Sequence, residues 1–285
     1  MTSSCEPGIR GGSAKRSWLA ACLVLASSAV HPAFADPCPP VVSETRAVAS
    51  IRGAADITLD DGSAAKLMGL LPPSVRDLPA PPSTWPLAAA ALADLEHRLQ
   101  DRRILIAKAG SFRDRYGRRV VHAFTSSENA QWLQGAIVEA GHARVAPVPG
   151  ETQCARELLL REAVARAKRI GLWSNPVYDV RAARETRMLA TLTGTFQIVE
   201  GWVSAVARRR NTVFLNFGQD WRWDFTAGID LRNTGQKDTI AAQLQELQGR
   251  FVRVRGYIER RNGPFISLAS TDVIEELPEG VSTGR

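Results

Sequence analysis

The feature that most constrains this chain is the order of its short apolar runs between residues 196 and 268. Residues 196–207, 212–217 and 223–229 read as strands, 238–247 as a short helix ended by Gly249, and 250–258 and 264–268 as two further strands. Strand, strand, strand, helix, strand, strand is the order that builds a small closed barrel of the OB type. Within the run from Arg250 to Ile258, Val252 and Val254 alternate with Arg253 and Arg255. Alternation at period two predicts one buried face and one solvated face.

The first half carries a comparable density of turn signals. Three short strands are expected between residues 45 and 71, with Asp60-Asp61-Gly62 turning between the second and third. Six prolines between 71 and 86 make that stretch a loop. Residues 87–100 are rich in Ala and Leu and read as a helix. Residues 103–109 and 118–125 read as strands around a turn at Asp114–Gly117. Leu133, Ala136, Ile137 and Ala140 recur at helical spacing, and Gly141 stops that helix. A last amphipathic helix covers 154–170 and is closed by Gly171.

The first 35 residues read as an export signal. Lys15 and Arg16 precede an apolar run from Trp18 to Val30, and Ala33-Phe34-Ala35 supplies the small-x-small cleavage pattern. Cleavage after Ala35 removes Arg10, Lys15, Arg16 and Glu6, which takes the net charge from +7 to +5. The mature chain is thus mildly basic, as suits an anionic partner. It holds no stretch apolar enough to cross a membrane. It keeps two cysteines, Cys38 and Cys154, an even pair in an oxidising destination, and a disulfide between them is the expectation.

Three motifs stand in order and register between residues 114 and 173. They are Asp114-Arg115-Tyr116-Gly117-Arg118, then Gly141-His142-Ala143-Arg144-Val145, then Glu162-Ala163-Val164-Ala165-Arg166 continuing to Gly171-Leu172-Trp173. Together they make residues 45–173 similar to the staphylococcal nuclease (thermonuclease) family. The resemblance implies a five-stranded barrel with three helices. It also implies a chemistry in which carboxylates hold Ca²⁺, a glutamate handles the attacking water, and two arginines brace the phosphate.

The catalytic positions depart from that pattern. The family's R-L-x-G-[IV]-D-x-P-E segment aligns with Lys66-Leu67-Met68-Gly69-Leu70-Leu71-Pro72-Pro73-Ser74. Lys66 replaces an arginine, Leu71 a calcium aspartate and Ser74 the glutamate. An upstream aspartate falls on Ala55, and the nucleotide-contacting tyrosines become Pro147 and Pro149. Leucine ligates no cation, serine is no carboxylate base, and lysine lacks the bidentate fork. Only Arg118 persists, either as a phosphate contact or as a structural partner of Asp114. The resemblance therefore implies a lost Ca²⁺ site, with no metal and no other cofactor. Asp60 and Asp61 are expected as turn formers, and Asp56 and Asp77 as solvated side chains. Glu162 and Arg166 suit a helix salt bridge. The histidines fall in separate elements and give no zinc pattern.

These readings add up to a mainly β chain with helices (α+β). The expected units are a signal peptide (1–35), a staphylococcal nuclease-like OB barrel (36–173), a linker (174–193), a second OB-like β-barrel (194–277) and a disordered tail (278–285). In the second barrel Arg208, Arg209 and Arg210 at a hairpin tip, with Arg253 and Arg255 on a strand face, are the candidate nucleic-acid contacts. Trp221 and Trp223 are expected in its core. The leading functional expectation is an exported, noncatalytic protein that binds single-stranded nucleic acid or an envelope protein. Two alternatives stay open, an active phosphodiesterase with a rearranged metal site and a protein–protein scaffold.

Overall fold

A computed structural model of the chain describes residues 42–78, 81–107, 113–146, 154–232 and 234–278. Cys38, Pro147, Pro149, residues 1–35 expected as the signal, and the residues beyond Pro278 lie outside the described residues. The described residues form one compact unit.

The first barrel opens with β1 (Val42–Gly53), β2 (Asp56–Leu59) and β3 (Ala64–Leu67). A short β4 (Leu70–Leu71) and α1 (Pro86–Arg98) follow, the helix starting on a proline whose missing N–H costs nothing at that position. β5 (Arg103–Ala107), β6 (Arg119–Thr125), α2 (Leu133–Glu139), β7 (Arg144–Val145) and α3 (Ala155–Ala167) complete it. The strands close in the order β1-β2-β3-β6-β5, with β3 and β6 parallel. Leu59, Leu67, Leu95, Ile104, Ile106 and Ile137 fill the interior. Gly141 and Gly171, which end α2 and α3, touch backbone to backbone. A Cβ on Gly141 would sit 2.4 Å from the Ile170 oxygen, and one on Gly171 would sit 2.2 Å from the Gly141 oxygen. Both also have positive φ, so the second motif begins, and the third motif's continuation opens, on a residue that only glycine can supply.

β8 (Arg181–Ala182) and α4 (Thr186–Thr191) lead into β9 (Phe196–Trp202), β10 (Ala205–Arg209), β11 (Thr212–Asn216) and β12 (Thr226–Asp230). α5 (Lys237–Gln245), β13 (Phe251–Arg261), β14 (Gly263–Leu268) and β15 (Glu275–Glu276) end the described chain. The sheet runs β10-β11-β12-β14-β13-β9-β8, with β12 and β14 parallel and β15 beside β13. β9 and β10 are separated only by Val203 and Ser204. Val203 N donates to Arg250 O at 2.9 Å and Ser204 N to Asn216 O at 2.8 Å, so this bent strand lies beside β13 on one side and β11 on the other. The pairing order repeats that of the first barrel, down to the parallel third and fifth strands. Val199, Leu215, Phe225, Val252, Val254 and Ile266 form its core.

A third apolar cluster joins the two barrels. Ala165, Leu172 and Trp173 from the first meet Tyr178 and then Phe196 and Ile198 from the second, with Leu71 and Trp85 packed against them. No helix among the described residues is long and apolar enough to cross a membrane.

Two sequence expectations are corrected here. β13 does not show one solvated face: Arg253 and Arg255 are 3% and 1% exposed, because α3 and β15 cover the side that alternation assigned to water. Trp221 and Trp223 are not core. They lie in the turn before β12 and are 56% and 71% exposed, while Phe225 takes the interior place.

Candidate functional site

Arg118 sits where the turn of Asp114–Gly117 hands over to β6. Asp114 builds the turn by accepting from the amides of Tyr116 at 2.9 Å and Arg118 at 3.0 Å, and Gly117 closes it with φ 76°. The same carboxylate takes the Arg118 Nε–H at 2.7 Å. The Arg118 Nη1 donates to Asp56 Oδ1 at 2.6 Å, from the start of β2. Its guanidinium also lies 5.2 Å from the centroid of the exposed Tyr116 ring. Burial disfavours the charge on both Arg118 and Asp114. Their mutual hydrogen bonds outweigh it, raising the arginine and lowering the aspartate from their ordinary values. The guanidinium is therefore held on two sides by carboxylates, and Asp56, expected in solvent, is one of them.

Lys66 faces Asp56 across the β2–β3 register and makes no ion pair among the described residues. Leu71 packs its side chain into the cluster between the barrels. Ser74 caps the turn Val75–Asp77, accepting from Arg76 N at 3.2 Å while Asp77 accepts from Ser74 N at 2.9 Å. Asp60 and Asp61 both hold Arg46 at 2.6 Å. Among the described residues no three of His, Cys, Asp and Glu come together as a metal could use them. The donors near Arg118 are two carboxylates already bound to a guanidinium. That set does not fit Ca²⁺, which takes six to eight oxygen ligands.

Asp77 is a further correction, being buried and not solvated. It accepts from Arg144 Nη2 at 2.7 Å and from the Tyr178 hydroxyl at 2.9 Å, and that hydroxyl accepts from Trp85 Nε1 at 2.8 Å. Arg144 Nη1 continues to the Phe196 carbonyl at 2.9 Å, and its guanidinium stacks on both Tyr178 and Phe196. Burial, then the neighbouring Asp77 charge, pushes the Tyr178 hydroxyl well above its ordinary pKa. The segment that in a nuclease of this fold would carry the metal and base thus ends in a clamp to the linker and second barrel. Sequence reasoning missed this clamp. The isolated Tyr178, just after the Trp173 motif, was its only signal.

The expected helix pair of Glu162 and Arg166 is present at 3.2 Å, inside a larger network. Glu162 accepts from Val145 N at 2.7 Å and from Arg255 Nη1 at 2.8 Å. Arg255 Nη2 reaches Glu275 at 2.6 Å, and Arg253 joins Glu200 at 2.6 Å and Glu275 at 3.6 Å. Arg253 and Arg255 are consumed inside the protein and present nothing to an external phosphate. At the β10–β11 hairpin Arg208 pairs with Asp238 at 2.7 Å, whereas Arg209 and Arg210 are exposed and make no ion pair among the described residues.

His122 is buried, and its Nδ1 accepts from Trp132 Nε1 at 3.3 Å. It is a core residue and no ligand.

No curated protein matches the chain. Residues 72–175 match the family model described as staphylococcal nuclease homologue. The match takes in Ser74, Arg118, Glu162 and Trp173, and the closed barrel supplies the strands that precede it. The chain therefore carries a staphylococcal nuclease-like domain.

Proposed function

We propose that this is an exported, noncatalytic nuclease-fold protein that binds nucleic acid. A domain of this family points to nuclease-related or nucleic-acid-binding work, and fold alone does not separate the two. One observation carries the noncatalytic reading. The single retained catalytic arginine, Arg118, is neutralised by Asp56 and Asp114, while the aligned aspartate and glutamate positions are an interface leucine and a capping serine. A phosphate approaching Arg118 would have to displace two charge-assisted hydrogen bonds and would meet neither a hard cation nor a base. Export is supported by the charged and apolar segments before Ala35, and a Cys38–Cys154 disulfide by the even cysteine pair and the burial of Cys154 at the start of α3.

The test is digestion of DNA and RNA in Ca²⁺ by the mature chain. The expected result is no cleavage above that of Arg118→Ala. Robust calcium-dependent digestion abolished by Arg118→Ala would refute the reading.

A further inference from the structure

We propose that a single-stranded nucleic acid stacks its bases on Trp221 and Trp223, with Arg222 and Arg260 taking its phosphates. The inference rests on the nucleic-acid reading above and gives it a binding locus on the second barrel.

The two tryptophans are 56% and 71% exposed, which is costly for large rings unless they serve a partner. They flank Arg222, whose guanidinium lies 5.6 Å from the Trp221 centroid. The loop is held for this use. Asp220 and Asp224 point inward, the first accepting from Arg222 N at 3.0 Å and the second from Asp220 N at 2.9 Å. The loop backbone also abuts the β13–β14 hairpin. A Cβ on Gly263 would fall 2.6 Å from the carbonyl oxygens of Trp223 and Asp224, so only glycine allows the contact. That contact brings the loop against the hairpin that carries the exposed Arg260. Neither Arg222 nor Arg260 has an ion-pair partner among the described residues, in contrast to Arg253 and Arg255 at the other end of β13.

Behind the loop, Phe214 and the buried Phe265 pair at 6.3 Å, with the Arg261 guanidinium 4.6 Å over Phe265. β12 runs for about 17 Å, at some 3.3 Å per residue, and ends near the unpaired Arg209 and Arg210. Planar rings interleaved with free guanidiniums are the chemistry that accepts bases of any sequence and a backbone charge together. A lipid surface suits the loop less well. Trp221 and Trp223 alternate with Asp220, Arg222 and Asp224, so inserting the tip would carry three charges with it.

Binding of a labelled oligothymidylate to the mature chain, followed by fluorescence anisotropy, tests the proposal. Trp221→Ala and Trp223→Ala should each weaken binding roughly five- to hundredfold, at 1–3 kcal/mol per stacked base, and Trp→Phe should restore most of it. Arg222→Ala with Arg260→Ala should flatten the log–log salt slope by about 1.4, at roughly 0.7 per phosphate. Wild-type binding that ignores all these variants would overturn this site and leave the nucleic-acid reading standing. No wild-type binding at low salt would overturn both. Equal competition by duplex would overturn stacking. Tryptophan-dependent binding to anionic phosphatidylglycerol vesicles in preference to the oligonucleotide would overturn it in favour of a membrane.

Discussion

Replacing Arg255 with Met should unfasten the two barrels. Arg255 is 1% exposed and gives its Nη groups to Glu162, Glu275 and the Val145 carbonyl. Burial works against its charge, and the Glu162 and Glu275 carboxylates more than compensate, so it stays cationic. It is the central cation of an alternating chain, Arg166–Glu162–Arg255–Glu275–Arg253–Glu200, that runs from α3 to β9. The Met variant keeps the apolar stem and removes the charge. Glu162, wholly buried, is then left with Arg166 at 3.2 Å and the Val145 amide. Breaking a buried pair on one side costs about 3–5 kcal/mol, because the remaining charge is uncompensated. Urea unfolding followed by tryptophan fluorescence should show that loss, together with a split of one transition into two as the barrels unfold separately. Adding Glu162→Gln should recover part of it, giving a coupling energy of about 1 kcal/mol or more. A loss under about 1 kcal/mol with an unchanged m-value would refute the argument, since it would mean the network is solvated or dispensable.

Two further outcomes follow from single groups. His122 is pushed down by burial to about 4 from its ordinary 6.5, so the unfolded chain binds more protons between those values and stability falls as pH drops through that window. The fall from pH 7 to 4.5 should be about 2 kcal/mol larger in the wild type than in His122→Asn, and equal pH dependence of the two would refute it. Thiol titration of denatured, unreduced mature protein should find no free thiol. A Cys38–Cys154 bridge closes over a hundred residues and is worth about 4–5 kcal/mol in the chain-entropy model, and two titratable thiols would end the idea.

The first barrel was legible because its signals are local. Asp114 and Gly117 satisfy a backbone requirement within a few residues, and Gly141 and Gly171 each end a helix with positive φ. The second barrel was legible in strand order, which depends on turn spacing and period-two patterning. What failed was the assignment of faces. Arg253 and Arg255 look solvated beside Val252 and Val254, because alternation says which residues share a face and nothing about what covers it. Their partners Glu162, Glu200 and Glu275 lie 93, 53 and 20 residues away. Trp221 and Trp223 failed for the opposite reason. Apolar bulk suggested core, but the turn made by Asp220 and Asp224 withholds them from it. Asp77 could not be placed because its partners Arg144 and Tyr178 come from 67 and 101 positions along the chain.

Arginine is the residue whose role this fold divides most sharply. Arg118, Arg144 and Arg255 are each fixed by a carboxylate from a distant segment: Asp56, Asp77 and Glu162. A buried guanidinium needs such partners, since an unpaired charge costs several kcal/mol. Once they are in place the guanidinium is neutralised, and the donors left over on Arg144 and Arg255, their Nε–H groups, are buried away from any external phosphate. Arg118, Arg144 and the arginines in the first half of β13 are therefore spent on structure. Among the described residues, exposed arginines outside any ion pair remain in both barrels, and in the second they include Arg260 at the other end of β13, Arg222, Arg209 and Arg210. An exposed unpaired guanidinium keeps its hydration and can exchange it for phosphate at little cost, releasing condensed counterions from the strand. One strand thus carries both uses. Arg255 locks the second barrel to the first, and the same strand ends at the exposed, unpaired Arg260.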